Sequence, residues 1–199
     1  MPTPMPVPSE SPTTDTIVSG REELLAALAS TLYGPTSPYG PIETWDISRV
    51  DNLYRVFSTQ EGTTSFDAAN FDEDISGWDT SSVTSFVETF SGAQTINQNL
   101  AGWDVSNADP GGFVGTFAGA NSFNGDVSTW DISGATSLER MFQGAAFFDR
   151  DLSNWDVRPN STSLFLDGTP KYQMQKACVI CLKRPPNSTK TLLGGMFKK

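Results

Sequence analysis

Every tryptophan in this chain is followed by aspartate, and the five pairs are almost evenly spaced. They begin at Trp45, Trp78, Trp103, Trp130 and Trp155, in steps of 33, 25, 27 and 25 residues. A period near 25 residues marks a repeat architecture. Each unit is then one small motif that cannot bury its own apolar face and must stack on its neighbours.

Other positions repeat with the tryptophans. Ser follows at Ser48, Ser81, Ser106 and Ser133, and an aromatic stands further on at Phe57, Phe90, Phe117 and Phe142. Four residues before each lies Leu53, Phe86, Phe113 or Leu138. In the second unit Val83, Phe86, Val87 and Phe90 have offsets of 3, 4 and 7, the spacing of one helix face. Ser48, Ser81 and Ser133 are placed to cap such helices, and Gly92 and Gly144 to end them. "DVSTWDI" and "DLSNWDV" alternate apolar and polar residues as a short strand does. The expectation is an α/β repeat: helix, turn, short strand, turn in each coil. Eight extra residues after Phe57 and two around Pro110–Gly112 account for the longer steps.

The recurring aspartates Asp46, Asp79, Asp104, Asp131 and Asp156 admit two readings. Stacked, they form a ladder of like charges that costs free energy unless each carboxylate is satisfied locally. An Asx-turn to the backbone N–H two residues on would do this. Alternatively the ladder binds Ca²⁺, as does a second row at Asp72/Asp74, Asn97/Asn99, Asn124/Asp126 and Asp149/Asp151, since oxygen-rich rows suit a hard cation. No unit matches an EF-hand loop or the Gly-rich Ca²⁺ nonapeptide. The tryptophan row likewise reads as packing, or as an exposed row for stacking on sugars.

The flanks differ from the repeats. Residues 1–18 are rich in Pro, Ser and Thr and read as a disordered stalk. Residues 19–38 read as an N-terminal capping helix and turn. Ser19 and Glu22 have capping-box spacing, Leu24, Leu25, Leu28 and Leu32 form an apolar face, and Gly34 is a stop. Residues 39–170 hold about five repeats. Residues 171–199 form a tail with seven basic residues and no acid, expected to be disordered.

Up to Asp167 there are 23 acidic residues against six Arg, a net −17. A body so acidic lacks the cations that binding a nucleic-acid backbone requires. With no histidine in the chain, neither a Ser-His-Asp triad nor a His-ligated zinc site can be built from it. Cys178 and Cys181 supply two metal ligands, not four, and read as incidental thiols. An Asp pair for glycoside hydrolysis is disfavoured, since catalysis needs one asymmetric pair and the repeats offer equivalents. No segment has the length of a membrane span, and the first residues are not a signal peptide.

The unit W-D-[I/V/T]-S…F-x-G-A-x-x-F-[N/D]-x-[D/N]-[L/I/V]-S-x-W resembles the 25-residue repeat of the BspA-like leucine-rich-repeat surface proteins, with its clearest copies at Trp78–Gly102 and Trp130–Asn154. Thr80, Ala101 and the Pro110–Gly112 interruption depart from that repeat. The resemblance implies a short right-handed leucine-rich-repeat-like solenoid, with no enzymatic activity and no cofactor. It also implies a role in adhesion or protein–protein interaction, with a protein or surface glycan as partner, on the cell surface or outside the cell. A Ca²⁺-stabilised structural solenoid and an intracellular interaction scaffold are the alternatives. Asn160 and Asn187 stand in glycosylation sequons, which occur often by chance.

Overall fold

A computed structural model describes residues 17–33, 39–60 and 68–156. The stalk before Ile17, the basic tail with its two cysteines, and both sequons lie outside the described residues. Helix α1, Arg21–Tyr33, opens the fold. Its first turn is held by Glu23 rather than by Glu22: the Glu23 carboxylate accepts both the N–H (2.8 Å) and the hydroxyl of Ser19. Glu22 pairs with Arg21 instead. Leu24, Ala27 and Leu28 are fully buried against the first repeat.

The expected α/β coil, one helix and one strand per repeat in a leucine-rich-repeat-like solenoid, is not what the chain forms. Among the described residues α1 is the only α-helix, accompanied by two 3-10 turns, Ile42–Thr44 and Ala68–Asn70. Among those residues there is no strand, only isolated parallel bridges at Ile17–Asp46 and Asn52–Ser85.

The backbone bonds explain the difference. An α-helix returns every N–H to the carbonyl four residues back. Here every second N–H returns three residues, and those between go to the following repeat. In the second repeat Thr89, Ser91 and Ala93 donate to Phe86, Glu88 and Phe90, while Phe86, Glu88, Phe90 and Gly92 donate to Gly112, Val114, Thr116 and Ala118. The "DVSTW" stretch turns as well. Asp126 Oδ1 accepts the Ser128 N–H at 2.9 Å, and the Trp130 N–H reaches back to the Val127 carbonyl.

Sustaining such turns requires left-handed backbone at one fixed position. Arg55, Glu88, Gly115 and Arg140 occupy it, with φ of 55°, 51°, 63° and 56°. Four residues on, Gly92, Gly119 and Gly144 are left-handed again, and there the backbones of neighbouring repeats nearly touch. A Cβ on Gly119 would meet the Gly92 Cα at 3.5 Å, and one on Gly144 the Gly119 Cα at 3.4 Å. The residues inserted at Pro110–Gly112 form one more turn. It is tied to the neighbouring repeats by the Asp109 N–H on the Thr84 carbonyl and by the Thr136 N–H on the Pro110 carbonyl, both 2.7 Å.

One core runs from Val18 to Trp155. Its spine is a column of phenylalanines, Phe57, Phe90, Phe117 and Phe142, nearly parallel with ring centroids 5.2, 5.4 and 5.4 Å apart. These separations lie within the favourable range for offset aromatic pairs. A second column pairs Phe86 with Phe113 at 5.7 Å, and a third Phe123 with Phe148 at 5.7 Å.

Candidate functional site

All five tryptophans are buried, and each indole N–H is committed to the protein. Trp78, Trp103, Trp130 and Trp155 donate to the carbonyls of Ile42, Ile75, Leu100 and Val127 at 3.0, 3.0, 2.8 and 3.0 Å. Each acceptor lies three residues before the tryptophan of the preceding repeat, and that tryptophan's own backbone N–H uses the same carbonyl. Both lone pairs of one oxygen therefore join two repeats. Trp45, with no repeat before it, donates to the Tyr39 carbonyl at 2.9 Å. No tryptophan offers an exposed face for a sugar.

The aspartates beside them lie at the surface, and one oxygen of each of the first four is engaged. Oδ1 of Asp46, Asp79, Asp104 and Asp131 accepts the N–H of Ser48, Ser81, Ser106 and Ser133 at 2.9, 3.0, 2.9 and 3.0 Å. The Ser48 hydroxyl and then its N–H hold the Asp46 carboxyl below its ordinary pKa, and Ser133 acts on Asp131 in the same order. For Asp104 the Ser106 N–H is the larger influence, while neighbouring Asp131 pushes the other way. Asp156 stands at the end of the described residues and is exposed. Among the described residues no three His, Cys, Asp or Glu side chains are gathered where they could hold a metal ion.

The second acidic row divides into two columns with different tasks. The first member of each pair reaches the next repeat: Asp72, Asn97 and Asn124 accept, through Oδ1, the N–H of Asn97, Asn124 and Asp149 at 3.0, 2.8 and 2.9 Å. The second member turns its own chain: Asp74, Asn99, Asp126 and Asp151 accept the N–H two residues on. Neutral Asn serves in either column because the task is to accept one hydrogen bond.

One grouping escaped the sequence reading. Arg21 of α1 donates through Nε and Nη2 to the Tyr54 carbonyl at 3.0 and 2.9 Å. Arg21 and Arg55 both lie over the Tyr54 ring, at 5.9 and 5.0 Å from its centroid, and Arg55 is paired with Glu88. The only available signal was the shared column of Arg55, Glu88 and Arg140. Nothing in the sequence tied Arg21 to it.

Among the described residues no helix is long and apolar enough to cross a membrane. No curated protein matches the chain, and no solved structure matches it. One family does, described as "Mycoplasma protein of unknown function, DUF285", over residues 63–174. That span takes in four of the five Trp-Asp pairs and more than half of the 199 residues. By its repeats, and over most of their length, the chain belongs to the DUF285 family.

Proposed function

We propose that this chain is a non-catalytic module for protein–protein interaction or adhesion, carried by a surface protein. The supporting observation is how the recurring side chains are used. Tryptophans, phenylalanines, Asx residues and left-handed glycines all serve to turn one repeat or join it to the next. What is left outward varies: Tyr54, Val87, Val114 and Glu139 lie in one partly or fully exposed column, and Glu73, Gln98 and Arg150 in another. A scaffold of constant joints with variable side chains along its faces suits recognition of a large partner by many weak contacts. The resemblance to BspA-like surface proteins points the same way.

Treating intact source cells with protease, with an antibody to the repeats as readout, tests the location. Loss of signal while an internal control protein survives is the expected result. Survival of the repeats would overturn the surface reading.

A further inference from the structure

Asn124 and Gly125 form the one Asn-Gly pair of the chain, and the stacking calls for both residues. Asn124 stands in the column that reaches the next repeat, where its Oδ1 accepts the Asp149 N–H at 2.9 Å. Its own N–H donates to Asn97 Oδ1 at 2.8 Å, and its carbonyl accepts Arg150 Nε at 2.7 Å. Gly125 is buried, and a Cβ there would stand 1.8 Å from the Gln98 carbonyl oxygen. Close packing of the second repeat on the third thus sets a residue without a side chain directly after an asparagine. That pair is chemically labile, because nothing on the glycine shields its nitrogen or restrains the peptide between them.

We infer that Asn124 is a modification site, at which isoaspartate forms when the joint between the third and fourth repeats opens. The reaction needs water and no other reagent. The Gly125 nitrogen, having given its proton to water, attacks Asn124 Cγ. A C–N bond forms, the Cγ–Nδ2 bond breaks, and the leaving nitrogen takes up a proton and departs as ammonia. Water then opens the five-membered imide. Attack at Cγ restores the backbone and leaves aspartate. Attack at the backbone carbonyl carbon routes the chain through Cβ and leaves isoaspartate. In the closed joint three hydrogen bonds oppose the first step: Cγ must turn from Asp149 onto Gly125, and the peptide must turn with it, away from Arg150. The two products then differ in what they permit. Aspartate allows the joint to close again, since Asp72 occupies the same column and accepts the Asn97 N–H at 3.0 Å. Isoaspartate adds a methylene to the backbone between the Asn97 bond and Gly125, where Gln98 leaves no room for it.

The test holds the full chain at mildly alkaline pH, folded or in concentrated urea, and follows the Asn124 peptide by mass spectrometry, with isoaspartate told from aspartate by its fragment ions. Asn124 should convert at least about tenfold more slowly in the folded chain, since only the open fraction reacts. Arg150→Ala should speed conversion in the folded chain and leave the rate in urea unchanged. Asn124→Asp should melt within about 4 °C of the unsubstituted chain, and the isoaspartate fraction below that variant. A folded chain that converts as fast as the unfolded one would overturn the gate, as would an Arg150→Ala chain that converts no faster than its parent. Absence of isoaspartate even in urea would remove the site. Isoaspartate chains that melt together with Asn124→Asp would show that the joint closes over the modified backbone, against the proposal.

Discussion

The Arg21 guanidinium takes, on the Tyr54 carbonyl, the place that a backbone N–H takes in every later repeat. Val87, Val114 and Glu139 receive the amides of Arg55, Glu88 and Gly115 at their carbonyls, whereas Tyr54 receives two guanidinium nitrogens. A side chain from α1 thus ends the ladder at its first rung. Arg21→Ala should lower stability by about 1.5–3 kcal/mol, the range for hydrogen bonds to a charged group. Arg21→Lys should fall between, because an ammonium donates to one oxygen but lacks the planar fork. Thermal melts of the three proteins check this ordering. Equal melting temperatures for the unsubstituted chain and the Arg21→Ala variant would show that the guanidinium is not needed at this edge.

The tryptophan ladder makes a separate claim. Trp103→Phe removes the indole donor from the Ile75 carbonyl, but that oxygen keeps the Trp78 N–H at 3.2 Å. No buried acceptor is orphaned, so the loss should be about 1–2 kcal/mol. Trp103→Ala also opens a cavity beside Phe86 and Phe90, whose centroids lie 6.1 and 5.8 Å away, and should cost about 3–5 kcal/mol. Denaturant titration of both variants decides whether ring volume or the N–H matters more.

These two cases show what the sequence made legible. The Trp-Asp period exposed the repeat and the column of phenylalanines, because stacking forces equivalent residues to solve the same packing problem. The coil itself was misread. Offsets of 3, 4 and 7 fit a helix, but turns that return every second amide three residues back also bury Val83, Phe86, Thr89, Phe90 and Ala93. What separates the two is a left-handed backbone at Glu88, and glutamate gives no local sign of it. Long-range pairings such as Arg21 with Tyr54 are set by how α1 packs, and neither residue announces them.

Three glycines that look alike in sequence should respond differently to a methyl group. A Cβ at Gly125 would stand 1.8 Å from the Gln98 carbonyl oxygen and 2.8 Å from the Phe123 ring, so two repeats would have to part. Gly125→Ala should cost at least about 2 kcal/mol. Gly119→Ala meets only ordinary contact, at 3.5 Å, but keeps φ at 71°, a strain of about 1–2 kcal/mol. Gly134→Ala meets nothing within 4 Å and has no positive φ, and restricting the unfolded chain should stabilise by about 0.4–1 kcal/mol. The order of unfolding midpoints, with the Gly134 variant above the Gly119 variant and that above the Gly125 variant, is the checkable outcome.

Acid should act on the Asx turns together. Asp46, Asp74, Asp104, Asp126 and Asp131 are all held below the ordinary value of 3.8 by hydrogen bonds from the serine two residues on. A carboxyl whose folded pKa is depressed binds protons less readily than in the unfolded chain. Its contribution is therefore complete above pH 3.8 and is lost as pH falls through the folded value. The melting temperature should be level from about pH 7 to about pH 5 and should drop below about pH 4. The cause being hydrogen bonds rather than ion pairs, added salt should change that profile little. Single sites give a sharper check. The Ser133 hydroxyl is the leading influence on Asp131, whereas for Asp104 it is the Ser106 N–H, which alanine retains. Ser133→Ala should thus raise the Asp131 pKa by more than Ser106→Ala raises that of Asp104, as read from carboxyl carbon shifts through an acid titration. Equal responses would mean that the backbone N–H governs both turns and that serine is used there only for its size.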